Sequence, residues 1–455
     1  MFTKKEFPDV KTAVKRVKFE KFAVGDASGR GVLCGTGGGN CDCSGGKIAP
    51  CVGLTDYLLP SGGNPSIPNP HDPPAVFALL PGTDENGERT ERVAFVSKRG
   101  LAYLYNDTRQ EFEYAMRVFD STPKILPVYA ADGGAKLAFC SSEGILLFDG
   151  DSKFSSVYAR GSDAACVFHE RLFFAEKPFT LRYSAPLDAS MFADSADEGG
   201  YIRLPSTGGE IVGLEEWKES IYIFRERGIE KLNAKGAARD FSHETLSYGG
   251  GKIFGRSIGK CGKNILFLAE DGVYAFDGSE ARRSCTELSV RPIAGGQGIE
   301  HGSFAGRYFL RYPDADGETK LLIQDEATEK AYFAFASAQG ISETEKGLLC
   351  FSDQKLRMFA VNGSLPAGEV CSFCAENTDF GVGGRKLWKT LRLKGRGSCL
   401  IETENESETK AFEVTFERGE ARAEPFLKGE NFSLKMILGE NSFVSGAEME
   451  FVLIG

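Results

Sequence analysis

Four cysteines near the N-terminus form the most unusual group of potentially reactive side chains in this sequence. Cys34, Cys41, Cys43 and Cys51 lie close together in a glycine-rich segment. Four thiolates can surround Zn²⁺ tetrahedrally, but this spacing lacks the Cys-x-x-Cys pair of most structural zinc sites. A metal site, a disulfide and free thiols are therefore all open, and free thiols are the expected state.

A second cysteine pair, Cys371 and Cys374, does have Cys-x-x-Cys spacing. The helix and βαβ surroundings of a redox motif are missing, so the spacing alone does not indicate thiol chemistry. The alternating pattern predicts a β-strand instead, with Cys371 and Phe373 on one face.

Other patterns that could carry catalysis are weak. The histidines lack the i+2 or i+4 partner that metal sites use; they are His71, His169, His243 and His301. The glycine-rich segment 30–40 is not followed by Gly-Lys-Ser/Thr or by a helix, which a phosphate site needs. A carboxylate pair for glycoside hydrolysis cannot be recognised among 64 acidic residues. We therefore predict a protein that is not an enzyme and has no cofactor and no resident metal.

A repeat organises the middle of the chain. Each unit is an apolar strand end, a tight polar turn and an alternating strand, seen at 95–108, 139–152, 224–236, 267–280 and 351–364. The turn positions are Gly100, Gly144, Gly228 and Gly272, with Lys355 in the equivalent place. The turns are one or two units of about 42 residues apart. Residues 171–184 and 307–325 supply the two missing units.

A unit of this length matches the four-stranded blade of a β-propeller. The composition agrees, because 55 Gly are incompatible with a long helical bundle. We predict an all-β protein with a six- or seven-bladed β-propeller over residues 75–365. The alternative is an array of β-sandwiches with coincidental spacing.

The two flanks differ from the repeat. Residues 1–74 are locally basic and rich in Gly, Cys and Pro, which indicates an extended arm. Such an arm could lie across a neighbouring subunit or approach packaged nucleic acid, or it could be an ordinary solvated strand or helix. Residues 366–455 contain five or more short alternating runs, which predict a C-terminal β-sandwich with a Glu-rich hairpin tip at 401–410.

Charge and hydropathy restrict the partners and the location. The net charge of −10 argues against duplex DNA as the main partner. No apolar stretch is long enough for a membrane helix. The first 22 residues lack the apolar core of a signal peptide, so export is not expected. Cysteines inside apolar runs are typical of a reducing compartment.

The repeat segments also carry a family resemblance. Residues 171–232 contain RYS, then DASMF, GEIVGL and YIFRERGI, and residues 264–288 contain FLAEDGVYAFDG. These segments, with GGRKLWKTLRLKGRG at 383–397, resemble bacteriophage and prophage virion proteins of the short-tailed-phage tail-hub, nozzle or tail-stabilisation type. The Cys-rich arm and the turn at Gln354 and Lys355 depart from that pattern.

The resemblance implies a non-enzymatic structural component of a phage or prophage particle. Such a component forms a homo-oligomeric ring that lengthens or stabilises the DNA conduit below the portal. It would assemble in the bacterial cytoplasm and reside in the virion, with DNA only as passing cargo. Neighbouring portal, adaptor or tail proteins would be contacted through the N-terminal arm and the C-terminal module.

Two other functions compete with this one. The first is a propeller binding module, a tail-tip adhesin or a cellular scaffold, that recognises a glycan or a protein. The second is a polysaccharide-degrading enzyme, which needs two carboxylates that converge in the central channel.

Overall fold

The computed structural model describes residues 14–454, except 25–31, 36, 44, 58–66, 70, 84–88, 107, 132–133, 150–153, 177, 194–197, 287 and 362. Within these residues the regular structure is β-strand, with two 3₁₀ turns at Ala238–Asp240 and Gly255–Ser257 and no α-helix. No described helix is therefore long and apolar enough to cross a membrane. The all-β prediction is confirmed.

The chain divides into two compact units. The smaller unit contains Met1–Val52, Ala331–Ala334 and Gly368–Gly455, and the larger contains Gly53–Lys330 and Phe335–Ala367. The predicted boundaries at residues 74 and 365 therefore differ from the compact units, most clearly at the N-terminal end.

The described residues form seven four-stranded antiparallel sheets, numbered here in chain order. The first contains Pro74–Thr83, Arg89–Ser97, Leu101–Asn106 and Glu111–Arg117. The second contains Lys124–Tyr129, Ala135–Ser141, Gly144–Phe148 and Phe154–Tyr158. The third contains Ala165–Phe168, Arg171–Glu176, Thr180–Tyr183 and Gly200–Arg203. The fourth contains Ile211–Trp217, Ser220–Arg225, Gly228–Asn233 and Ser242–Leu246.

The remaining three sheets follow the same meander. The fifth contains Gly259–Cys261, Asn264–Ala269, Gly272–Phe276 and Ala281–Ser284. The sixth contains Glu300–Phe304, Arg307–Pro313, Thr319–Asp325 and Ala331–Ala334. The seventh contains Gln339–Thr344, Gly347–Ser352 and Lys355–Ala360, and its fourth strand is Gly53–Asp56.

Every predicted hairpin is the pair of second and third strands of one sheet. The units inferred at 171–184 and 307–325 are present, since Arg171–Glu176 pairs with Thr180–Tyr183 and Arg307–Pro313 pairs with Thr319–Asp325. Local turn chemistry was sufficient to locate these hairpins because both strands of each are contiguous in sequence.

The sheets pack face to face through apolar side chains. Between the fourth and fifth sheets, Phe224 and Phe267 have ring centroids 5.4 Å apart. Between the first and seventh, the Phe77 amide donates a hydrogen bond to Ser342 Oγ at 2.8 Å. The first strands of consecutive sheets are neighbours, and that of the seventh lies beside that of the first. This is a β-propeller arrangement.

The smaller unit contains two five-stranded sheets. One contains Val14–Phe19, Phe443–Leu453, Lys386–Arg396, Glu420–Ala423 and Leu427–Gly429. The other contains Thr409–Thr415, Ser398–Glu404, Phe432–Leu438, Cys371–Thr378 and Gly37–Gly39. Two short pairs complete the unit, Lys21–Val24 with Val32–Gly35 and Cys41–Asp42 with Ala49–Pro50. The predicted C-terminal strands are present, and Trp388 lies 5.6 Å from Phe432 and 5.8 Å from Phe451, centroid to centroid.

The described part of the predicted arm is not an independent extension. Val14–Phe19 pairs along its length with Phe443–Leu453, and Gly37–Gly39 pairs with Cys371–Thr378. Both strands are short, and Gly37–Gly39 has no side chains to pack, so each depends on an edge supplied by a distant segment. Residues 1–13 lie outside the described residues. The expectation of one separate arm over 1–74 is corrected accordingly.

The predicted turn glycines are not equivalent. Gly100, Gly144 and Gly272 have φ of 76°, 152° and 141°, whereas Gly228 has no positive φ. A Cβ at Gly100 would lie 1.3 Å from the Phe119 carbonyl oxygen, and one at Gly228 would meet nothing closer than 3.6 Å. In the corresponding turn of the seventh sheet, which precedes Lys355, Asp353 and Gln354 have positive φ.

This difference gives a matched pair of substitutions. Gly100→Ala should lower the free energy of unfolding by at least about 2 kcal/mol, because it combines backbone strain with a clash. Gly228→Ala should change it by less than about 0.5 kcal/mol. Thermal unfolding followed by intrinsic fluorescence measures both, and equal melting temperatures for the two variants would contradict the role assigned to Gly100.

Candidate functional site

The N-terminal cysteines lie close to Cys371, a contact that their spacing in the sequence does not predict. The Sγ atoms of Cys41 and Cys43 are 3.5 Å apart, and the Cys371 thiol forms a hydrogen bond with Cys41. Cys51 donates to the Val52 carbonyl oxygen. The side chain of Cys34 lies outside the described residues. Cys371 joins the group because its strand pairs with Gly37–Gly39, a long-range contact.

The thiols of Cys41 and Cys51 are held in the protonated form. Hydrogen bonds from Cys371 and Cys43, together with burial, raise the pKa of the Cys41 thiol, and burial raises the pKa of Cys51. A thiol must lose its proton to bind a metal or attack an electrophile. Among the described residues, no group of three or more His, Cys, Asp and Glu side chains has the arrangement of a metal site.

Three of the four histidines are exposed or far from other functional groups. His169 lies with Glu170 in the turn between Ala165–Phe168 and Arg171–Glu176, and both residues have positive φ. His243 lies on the outer strand Ser242–Leu246 and is exposed. His71 is exposed. His301 differs from the other three, because it is half-buried and lines the central cavity of the larger unit.

The central cavity has a volume of about 810 Å³ and is lined mainly by the first strands of the sheets. Its walls combine aliphatic and charged side chains. The aliphatic ones include Ile125, Val212, Ile258, Ile299 and Ile341, and the charged ones include Lys124, Asp163, Arg256, Lys260, Glu300, Glu343 and Glu345.

One carboxylate joins three sheets at this cavity. Glu215, in the fourth sheet, has Oε2 3.5 Å from Lys124 Nζ of the second sheet and Oε1 3.3 Å from Lys260 Nζ of the fifth. Lys260 Nζ is also 3.3 Å from Glu216 Oε2. Burial opposes the charge on Lys260, but Glu215 and Glu216 outweigh it and raise the Lys260 pKa. Lys260 therefore keeps its positive charge at neutral pH.

A second connection involves the backbone. Arg256 Nε lies 3.0 Å from Asp163 Oδ2, and the Arg256 guanidinium also donates to the Thr122 carbonyl oxygen. His301 Nδ1 lies 2.7 Å from the Arg256 carbonyl oxygen. Burial lowers the His301 pKa, so the imidazole is neutral and its Nδ1–H donates to that oxygen.

Two carboxyl groups at the cavity have raised pKa values, in both cases because they are buried. Glu300 accepts from the Ile341 amide at 3.2 Å and lies 3.3 Å from Arg311 Nη1. Glu343 accepts a backbone hydrogen bond from Ser303. A carboxyl with a raised pKa near an ionised one is a combination that acid–base catalysis uses. Here, however, each Glu215 oxygen already contacts a lysine, which leaves it poorly suited to attack a substrate.

The buried imidazole predicts a specific pH dependence. The unfolded chain binds a proton on His301 near its ordinary pKa of about 6.5, while the folded protein does so only at lower pH. Stability contributed by the neutral imidazole is therefore lost as pH falls below about 6.5. Between about pH 7.5 and about pH 5.5, the melting temperature of His301→Gln should fall less than that of the unmodified protein.

The exposed His243 supplies the control. His243→Gln should reproduce the pH profile of the unmodified protein in the same thermal scans. Parallel profiles for His301→Gln and the unmodified protein would show that the folded state does not hold His301 neutral.

Comparisons with known proteins give similar solved structures but no family. No protein-family model and no curated protein matches the sequence. Virginiamycin B lyase from Staphylococcus aureus is similar in structure at 10% identity and a TM-score of 0.43, covering 66% of this chain and 98% of that chain. BBS1N, solved in complex with ARL6DN, is similar at 10% identity and a TM-score of 0.44, covering 70% and 98%. Likeness at this level says nothing about the activity of this chain.

Proposed function

We propose that the protein is a non-enzymatic structural component of a phage or prophage particle, built from one seven-bladed β-propeller and a C-terminal β-sandwich. In this role it is a ring-forming tail hub, nozzle or adaptor in the virion, and it lengthens or stabilises the DNA conduit below the portal. The resemblance of residues 171–232 and 264–288 to virion proteins supports the assignment.

The observation that carries the proposal is the ion-pair network across the cavity. Lys124, Glu215 and Lys260 connect three different sheets, and Arg256 with Asp163 adds another connection. Ion pairs between sheets favour one relative position of those sheets because the opposite charges attract, and the shared carboxylate of Glu215 is only 13% exposed. The charged groups that a substrate would need are thus used to hold the propeller rigid, which suits a component of a conduit wall.

The smaller unit offers an edge for contacts between subunits. Val14–Phe19 is the outer strand of its sheet, and Val14, Lys15, Arg16 and Lys18 are exposed. An exposed strand edge can pair with another chain. We place the contacts with neighbouring copies and with portal, adaptor or tail proteins along this edge.

Native mass spectrometry and negative-stain imaging at micromolar concentration test the proposal. A closed ring of identical copies is the expected particle, and Val14→Asp should reduce its abundance because a carboxylate is placed at the edge. Val361→Asp is the matched control, since Val14 and Val361 are 51% and 53% exposed. A strictly monomeric protein under all conditions would overturn the assembly role.

A binding module that recognises a glycan or a protein is the second candidate function. The size of the central cavity favours it, because ligand sites commonly enclose about 300–1,000 Å³. A glycan array and a protein pull-down with the intact protein distinguish the two roles. No binding in either assay, together with ring formation, would support the structural role and exclude the binding role.

A further inference from the structure

A polar groove lies between the second and third sheets, away from the central cavity. It has a volume of about 540 Å³ and is lined by Ser142, Arg160, Gly161, Glu176, Thr180, Arg182, Tyr201 and Arg203. Three of these eight residues are arginines, in a protein whose net charge is −10. The local charge is therefore opposite to that of the whole chain.

The sheet register assembles most of this groove. Thr180 and Arg182 are two residues apart on the third strand, and Tyr201 and Arg203 are two apart on the fourth. Arg182 is directly opposite Tyr201, and Thr180 is directly opposite Arg203. Because residues at i and i+2 share a face, these four side chains form one compact patch on one face of the sheet.

The same patch holds its guanidinium groups in place. Arg182 Nε donates to Glu176 Oε2 at 2.8 Å, and the guanidinium carbons of Arg182 and Arg203 each lie 5.5 Å from the Tyr201 ring centroid. Tyr158 donates its hydroxyl hydrogen to Glu176 Oε1 at 3.2 Å. Both Glu176 oxygens are therefore engaged, which limits their repulsion of an incoming anion.

Arg160 and Arg203 differ from Arg182 in that no described carboxylate pairs with them, and both are exposed. Burial raises the pKa of the neighbouring Tyr158, and the positive charge of Arg160 partly opposes that rise. The sum over three arginines and Glu176 is a positive charge of two. Positive charge that the protein does not neutralise is available to a ligand.

The groove contrasts with the equivalent space between the fourth and fifth sheets. There, Tyr222, Tyr248, Tyr274 and Phe276 belong to one apolar cluster that fills the gap. The inner part of the second and third sheets is also apolar, with Ile145, Leu147, Leu172 and Phe174 in contact. Only towards the outer strands of this pair does the packing change to arginines and hydroxyl groups.

We propose that this groove binds an acidic saccharide, meaning a sugar that bears a phosphate, sulfate or carboxylate group. The arginine guanidinium groups recognise the anion because their fork of N–H donors matches its oxygens. The hydroxyl groups of Ser142 and Thr180 lie beside them and can exchange hydrogen bonds with the sugar hydroxyls. The volume suits one or two sugar rings. This site is independent of the proposed assembly role.

Isothermal titration calorimetry of the full-length protein at low salt tests this proposal. The probes are glucose 6-phosphate, glucuronate, glucose and inorganic phosphate. At least one acidic sugar should bind about tenfold more tightly than both glucose and inorganic phosphate, because only it satisfies both parts of the groove. No acidic-sugar binding, or equal binding of inorganic phosphate, would overturn the proposal.

Substitutions locate the binding on the groove. Arg160→Gln and Arg203→Gln should each weaken the acidic-sugar affinity about tenfold, and Arg203→Lys should weaken it less because it keeps the charge. Arg239→Gln, at an exposed arginine outside the groove, is the matched control. Unchanged melting temperatures and ring formation separate lost binding from unfolding or failed assembly. Undiminished affinity in Arg160→Gln and Arg203→Gln would place the sugar elsewhere and refute the assignment.

Discussion

The structure of the larger unit depends on the fact that each four-stranded sheet is apolar on both faces. A strand such as Ser220–Arg225 is buried at every position, so its sheet needs a neighbour on each side. Both faces of every sheet are buried only when the series of sheets closes on itself, since an open end would leave one apolar face in water. Closure explains why the seventh sheet uses Gly53–Asp56 as its outer strand: Leu54 pairs with Phe359, joining chain segments that precede and follow all the other sheets.

The same constraint sets how much of the fold the sequence predicts. Hairpins such as Asn264–Ala269 with Gly272–Phe276 are encoded locally, by alternating strands and a glycine turn, and all were located. The strands Val14–Phe19, Gly37–Gly39 and Gly53–Asp56 carry little pattern of their own and depend on edges that lie hundreds of residues away. The sequence therefore predicts an arm in their place, and it carries no signal for the contact of Cys371 with the N-terminal cysteines.

The cavity residues were also missed, although a signal for them exists in the sequence. The repeat consists of second and third strands, whereas the cavity is lined by first strands, some of which carry charged residues beside apolar ones. Lys124 in KILPVY and Glu215 in IVGLEEW are examples. The pairing of Lys124 with Glu215 could not be inferred, because it joins sheets that are not consecutive and requires the closed arrangement.

Two places in the larger unit thus break the apolar rule of the sheets, and they do so in opposite ways. At the cavity, positive and negative groups occur together, and each lysine contacts a carboxylate. In the groove of the third sheet, no described carboxylate pairs with Arg160 or Arg203. Both oxygens of the nearby Glu176 already accept hydrogen bonds, from Arg182 and Tyr158. The paired charges at the cavity hold neighbouring sheets together, whereas the exposed arginines of the groove are free to form charge-assisted hydrogen bonds with an anionic ligand. The rigid centre and the proposed binding groove are therefore different parts of one propeller.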